Sequence, residues 1–207
     1  MNITVTNQHL SITVNPKGAE LISLKNNLTS KEYIWEGNPE YWSKHSPILF
    51  PIVGALKNGA YCYENKSFEL PRHGFARDME FTLKSLETDK AVFSLQTDNS
   101  TFKIYPFDFE LQITYYLKEK QLIITYEINN KDSKILPYSI GGHPAFVLNN
   151  EFENYSLKFE SDESLNSYNL KNNLLTNKIR QIELNNGVLP LSYSFFENDA
   201  LVFKSLQ

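Results

Sequence analysis

Hydrophobic and polar positions alternate along much of this chain with the two-residue period of a β-strand, and no window carries a convincing helical period. The clearest case is 107–117. Phe107, Phe109, Leu111, Ile113, Tyr115 and Leu117 face one way, with Asp108, Glu110, Gln112 and Thr114 opposite. A turn at 118–121 returns the chain through Leu122, Ile124, Tyr126 and Ile128, which predicts an antiparallel meander with one buried face. Near the start, Ile3 and Val5, then Leu10, Ile12 and Val14, predict a hairpin that turns near Asn7 and Gln8. Asn15-Pro16-Lys17-Gly18 reads as a second turn and 19–24 as a third strand. Shorter strands are predicted at 33–35, 61–63 and 67–70, with alternation at Met79, Phe81 and Leu83, at Ala91, Phe93 and Leu95, and at Tyr155, Leu157 and Phe159. The rest of 149–186 reads as polar, Asn-rich connection. The run 199–207 reads as a strand with no closing cap. No repeat, linker or composition break divides the chain, so the expectation is a single all-β domain over 1–207, a large antiparallel β-sandwich.

Composition narrows the partners. A formal net charge of −4 with 21% charged residues offers no electrostatic footprint for nucleic acid, and no basic run suits a membrane surface. The first residues lack a basic segment followed by an apolar run, and the longest apolar stretch, 47–56, is too short to span a bilayer and contains Pro51. The expected location is the cytoplasm. Cys62 is the single cysteine, which excludes an internal disulfide and a cysteine-cluster metal site. Two matches to the glycosylation pattern, at Asn27 and Asn65, carry no weight in an Asn-rich cytoplasmic chain. The 14 Phe, 12 Tyr and 2 Trp favour strands and also supply flat apolar faces on which sugars and bases stack.

Two stretches break the strand pattern. In Gly141-Gly142-His143-Pro144-Ala145-Phe146 two glycines and a proline bracket a histidine. Glycine admits positive φ or a close approach, proline fixes the following dihedral, and imidazole suits proton transfer near neutrality. In Pro71-Arg72-His73-Gly74-Phe75-Ala76-Arg77-Asp78 two of the chain's three arginines flank a second histidine. Taken alone, each is also consistent with a hydrogen-bonded structural histidine in a turn. His9 and His45 sit among ordinary polar neighbours and read as surface or structural residues. The segment 47–54 is apolar but broken by Pro47 and Pro51, a poor central strand; it suits either the floor of a site or core filler beneath a sheet. No His-x-x-x-His pair, Walker or Rossmann glycine loop, or Gly-x-Ser-x-Gly elbow is present. What remains suits binding a polar substrate and moving protons on it. Arg77 also suits a surface salt bridge with Asp78 or Glu80.

The ordered pair of motifs, His73-Gly74-Phe75-Ala76-Arg77-Asp78 followed by Phe81 and then Gly141-Gly142-His143-Pro144-Ala145-Phe146, resembles the aldose 1-epimerase (galactose mutarotase-like) family, in particular its LacX-type branch. The resemblance runs along essentially the whole chain. It implies an antiparallel β-supersandwich, here truncated at its C-terminus, and interconversion of the α and β anomers of a hexose without metal or organic cofactor. In that reaction a histidine protonates the ring oxygen while a glutamate takes the C1 hydroxyl proton. The resemblance assigns the acid to His143 and the second, sugar-binding histidine to His73. It matches Asp199 to an acidic residue holding sugar hydroxyls and puts Arg77 in the branch motif, lining or bracing the pocket. The implied partner is a small-molecule sugar, an aldohexose or hexose phosphate. Two departures stand out. Ala55 replaces an arginine that usually follows the Gly54 segment, with Lys57 the nearby substitute. The family's general-base glutamate falls beyond Gln207, and Glu40, Asp78 and Glu197 match no base motif. The alternative expectation is therefore a non-catalytic carbohydrate-binding protein or inactive homologue.

Overall fold

The alternating rows become strands that turn their apolar sides inward. The computed structural model describes residues 1–160, 164–197 and 199–204, in two compact units, Met1–Val147 and Leu148–Gln207. In the first unit β1 (Ile3–Thr6), β2 (Leu10–Asn15) and β3 (Glu20–Asn26) form one antiparallel sheet in sequence order. The Asn7 side chain closes the first turn, its Oδ1 accepting from the amides of His9 and Leu10. Next come the short β4 (Ile48–Leu49) and a hairpin of β5 (Ala60–Tyr63) and β6 (Lys66–Glu69). β7 (Thr82–Leu86), β8 (Lys90–Gln96), the helix α1 (Asn99–Ile104), β9 (Phe109–Lys118) and β10 (Gln121–Asn130) follow. The four strands make a second antiparallel sheet, in the order β10-β9-β8-β7.

The row predicted from the sequence is the centre of the core: Phe107, Phe109, Leu111, Ile113, Tyr115 and Leu117 are each at most 1% exposed. They join Val5, Ile12 and Val14 of the smaller sheet in one cluster with Phe93, Ile48 and Phe50. Tyr115 lies inside this cluster, and its hydroxyl donates to the Ala19 carbonyl at 2.7 Å, tying β9 to the turn before β3. Burial pushes that phenol well above its ordinary pKa.

Three expectations are amended. The sequence showed no helical period, yet α1 forms. It has only six residues, and what sustains it is a capping box in which Asp98 accepts from the amides of Ser100 and Thr101 while Thr101 accepts from that of Asp98. The alternation at Met79 and Phe81 precedes β7 instead of belonging to it: Ala76–Asp78 is a 3-10 turn, and the Phe81 amide bonds to Pro16 in the opposite turn. Around Ile34 there is a single bridge, to Phe146, flanked by hydrogen bonds from Tyr33 to Leu24 and from Trp35 to Ala145.

In the second unit β12 (Ser156–Lys158) falls where alternation predicted it. The expected polar connection instead holds β13 (Leu165–Lys171) and β14 (Leu174–Ile182), and β15 (Val188–Pro190) follows it. β13 and β14 pair through a tight turn in which Asn172 and Asn173 both take positive φ, the conformation that a two-residue hairpin turn demands and asparagine tolerates. Their pattern hides the strands because the inward position Ser167 is polar while Leu175 and Ile179 face out. Leu165, Ile182 and Leu189 form this unit's core. The strand expected over 199–207 is not laddered within 199–204, where Val202 bonds to β13 through the Tyr168 amide and Ser167 Oγ. Residues 205–207, where the rest of that expectation falls, lie outside the described residues. No helix among the described residues is long and apolar enough to cross a membrane.

Opposite the core face of β8 and β9, Glu110 accepts from Ser94 at 2.9 Å and Gln96 at 3.2 Å and stands 3.3 Å from Lys131 Nζ. Hydrogen bonds from Gln96, Gln112 and Ser94 hold its pKa down at about 2. Since the folded pKa is depressed, its stabilisation is complete above the unfolded value and is lost as pH falls from about 4.5 towards about 2. Glu110→Gln is expected to lower stability near neutral pH by about 1–2 kcal/mol and to flatten that acid limb. Urea unfolding midpoints across this range check both effects.

Candidate active site

The segment 47–54, with its two prolines, cannot make a full sheet strand, yet most of it is buried: Ile48, Leu49 and Phe50 are at most 3% exposed. Its backbone groups must therefore find partners nearby. They find them on both sides. β4 pairs with β11 (Gly141–Gly142), Gly141 opposite Leu49 and Gly142 opposite Ile48. The His143 amide donates to the Pro47 carbonyl at 3.1 Å and the Ser139 amide to that of Pro51 at 2.8 Å. From the other side, the Phe75 and Ala76 amides share the Phe50 carbonyl at 3.0 and 3.2 Å, and the His73 amide reaches the Gly54 carbonyl at 2.7 Å. Both histidine motifs thus hang from one segment. Of the two readings of 47–54, the floor describes its backbone, while Phe50 serves as core beneath, its ring 5.2 Å from that of Phe109. The Phe50–Pro51 peptide is cis.

Conformation at the first motif explains its His-Gly pair. His73 and Gly74 both lie at φ +71°, so the chain reverses tightly over Phe50. A Cβ at residue 74 would fall inside the Phe50 carbonyl. The His73 ring is also fixed, because the Gly54 amide donates to its Nδ1 at 3.1 Å. With Nδ1 accepting, the proton of the neutral ring sits on Nε2, which becomes a donor. The second motif differs from the turn its glycines suggested. Gly141 and Gly142 pair as strand, and a Cβ on Gly142 would meet the Tyr126 hydroxyl at 3.3 Å and Pro144 Cδ at 4.0 Å.

The two imidazoles come together, their centroids 6.0 Å apart and their planes at 73°. His143 is exposed and His73 half-buried. Against His143 packs the half-buried indole of Trp42, centroid to centroid 5.0 Å. Arg77 donates from Nη2 to the Arg72 carbonyl at 3.0 Å and lies 3.6 Å from the Asp78 carboxylate, which also holds Lys44 at 3.2 Å. Its head group therefore braces the His73 turn. Asp199 belongs to the second unit, exposed at φ +84°, its amide bonded to the Phe196 carbonyl. Beside His45, the buried Glu20 carboxylate accepts from the backbone amides of His45 and Ser46 at 2.6 and 3.0 Å. The His45 carbonyl in turn accepts from the Ala145 amide, two residues beyond His143.

The model of the family described as aldose 1-epimerase matches residues 1–187. The chain belongs to the aldose 1-epimerase family. The plasmid and chromosomal LacX proteins of Lactococcus lactis subsp. lactis are each 34% identical to it over 220 aligned positions, covering all of this chain and 73% of theirs. A galactose mutarotase related enzyme from Lactobacillus acidophilus superposes with a TM-score of 0.94 at 32% identity, over 99% of this chain and 70% of that one. A galactose mutarotase-like protein from Lactobacillus casei gives 0.89 at 30% identity, over 94% and 68%. The antiparallel all-β architecture is accordingly the galactose mutarotase-like β-supersandwich of aldose 1-epimerases.

Sequence reasoning missed two groups that contact the histidines, Trp42 and the Gly54 amide. A signal for the first was present, since both tryptophans of the chain, Trp35 and Trp42, flank one Gly/Pro loop. The second is a backbone group and leaves no mark in side-chain patterns. Gly74→Ala is expected to cost roughly 3 kcal/mol or more, since it combines positive φ with a collision against backbone. Gly142→Ala is expected to cost less than about 1 kcal/mol, because a tyrosine hydroxyl can yield. Denaturant unfolding of the two variants measures the contrast.

Proposed function

We propose that the chain interconverts the α and β anomers of a free aldohexose. The observation that carries this reading is the pair of imidazoles held 6.0 Å apart on one backbone segment, one exposed and one with its proton placed on Nε2. Opening a pyranose requires a proton delivered to the ring oxygen as the C1 hydroxyl loses one; the C1–O5 bond then breaks to the aldehyde. Rotation about C1–C2 and reclosure on the other face give the second anomer, and the protons return. Groups at hydrogen-bond reach of both oxygens lower this barrier by general acid and base catalysis and by orientation. His143, exposed, is the acid on the ring oxygen. His73 donates from Nε2 near the reacting end; the holding of sugar hydroxyls by Asp199 is what the family resemblance implies. The C1 hydroxyl proton goes to a carboxylate, a glutamate in the reaction that the family resemblance implies.

Arg77 favours the free sugar over a hexose phosphate. Phosphate is best held by an arginine fork presenting two parallel donors. Here Nη2 is engaged by the Arg72 carbonyl and the guanidinium faces Asp78, whose charge would repel a phosphate.

Anomer exchange on glucose and galactose, followed by magnetisation-transfer NMR, tests the reading. The expected result is exchange above the spontaneous rate that falls by roughly 100-fold or more in His143→Ala. That variant is expected to stay folded, since the residue is exposed and its amide bond to Pro47 does not need the ring. Undiminished exchange in His143→Ala would overturn the assignment. Saturable sugar binding without exchange would make the chain a carbohydrate-binding protein.

A further inference from the structure

The contact between Trp42 and His143 has no part in the proton transfers above, and it is built with more care than a chance packing. The loop that carries the indole is pinned on its N-terminal side. The amides of Tyr41 and Trp42 donate to the Asn38 carbonyl at 3.1 and 2.9 Å, and the Glu40 amide donates to Asn38 Oδ1 at 3.0 Å. Trp35 Nε1 donates to the Trp42 carbonyl at 2.9 Å. The C-terminal side is pinned by the 3.2 Å ion pair of Lys44 with Asp78 and by the buried Glu20, which takes the amides of His45 and Ser46. Through the His45 and Pro47 carbonyls the same stretch holds the amides of Ala145 and His143. Trp42 and His143 therefore belong to one rigid frame, and the indole remains half-buried, with surface left for a ligand.

A pyranose offers two kinds of surface: a rim of hydroxyls and a face of C–H groups. An imidazole can serve the rim or the ring oxygen but gives nothing to the C–H face. A large flat apolar ring beside it supplies that complement, and a pre-ordered ring does so at little entropic cost. We propose that Trp42 is the stacking platform for the sugar, seating the C–H face of a pyranose so that its ring oxygen meets His143. The inference deepens the epimerase reading and rests on it. It names a binding residue that the histidine motifs do not contain, and it makes an aldose in its pyranose form the ligand.

The test uses the 207-residue chain and three variants, Trp42→Phe, Trp42→Leu and Trp42→Ala, with glucose and galactose as probes. Sugar affinity is measured by titration, and saturation transfer from the protein's aromatic protons to the sugar's C–H protons is recorded by NMR. The His143 Hε1 shift, which senses the indole ring current, is followed without sugar. The expected result is an affinity about tenfold weaker in the Leu and Ala variants and within about threefold of the parent in the Phe variant. Saturation transfer to the C–H protons should fall in step, and the His143 shift should move when the indole is removed. Where exchange is measurable, KM should rise more than kcat falls. Equal affinity in the parent, Leu and Ala proteins would overturn the platform while leaving the epimerase reading intact. If the parent binds neither sugar, the epimerase reading fails, and the platform falls with it. The Leu variant keeps apolar bulk in the loop, so a fold lost in Trp42→Ala does not spoil the comparison.

Discussion

The backbone of residues 47–54 is the constraint on which the site depends. A buried segment must satisfy its amides and carbonyls, and one that contains Pro47 and Pro51 cannot do so in a continuous ladder. Here the partners come from two distant stretches. The Phe50 carbonyl takes the amides of Phe75 and Ala76, and the Pro47 carbonyl takes that of His143. The requirement to pair a buried backbone thus becomes the device that brings residues 73 and 143 to one place. The Phe50 ring, fully buried against Phe75, Tyr105 and Phe109, holds the floor to the core.

From this floor the composition of each motif follows. The first must reverse over a carbonyl at contact distance, which is why its histidine is followed by glycine and why both take positive φ. The second must lie flat against β4, which favours two residues without side chains where Val53 and Tyr126 crowd in. Arg77 and Asp78 then brace the reversal, and Glu20 holds the loop that carries Trp42. None of these groups needs to touch a substrate to matter, since they decide where the imidazoles stand.

How far the sequence foretold this depends on the kind of information each part uses. The row from Phe107 to Leu117 was legible because one face of that strand is wholly apolar and the other polar. The hairpin of β13 and β14 was not, since its inward Ser167 and outward Ile179 blur the alternation, although Asn172-Asn173 marked its turn. The helix α1 is stabilised by its cap and is too short for a period to show. At the site, both histidines were legible because Gly and Pro interrupt the strand pattern beside them. The Gly54 amide was not, because what recruits it is proximity in the folded chain, and Trp42 left only the weak mark of two tryptophans flanking one loop.

The central claim is that the 47–54 floor fixes the imidazoles, and its most specific atomic consequence is the bond from the Gly54 amide to His73 Nδ1. The tautomer of His73 reports that bond directly. Long-range proton–nitrogen correlation NMR of the imidazoles, recorded at a pH where His73 is neutral, is the measurement to make. The account requires the Nε2–H form, with Nδ1 showing the nitrogen shift of a hydrogen-bond acceptor. An Nδ1–H tautomer, or a freely exchanging mixture of the two, would contradict it.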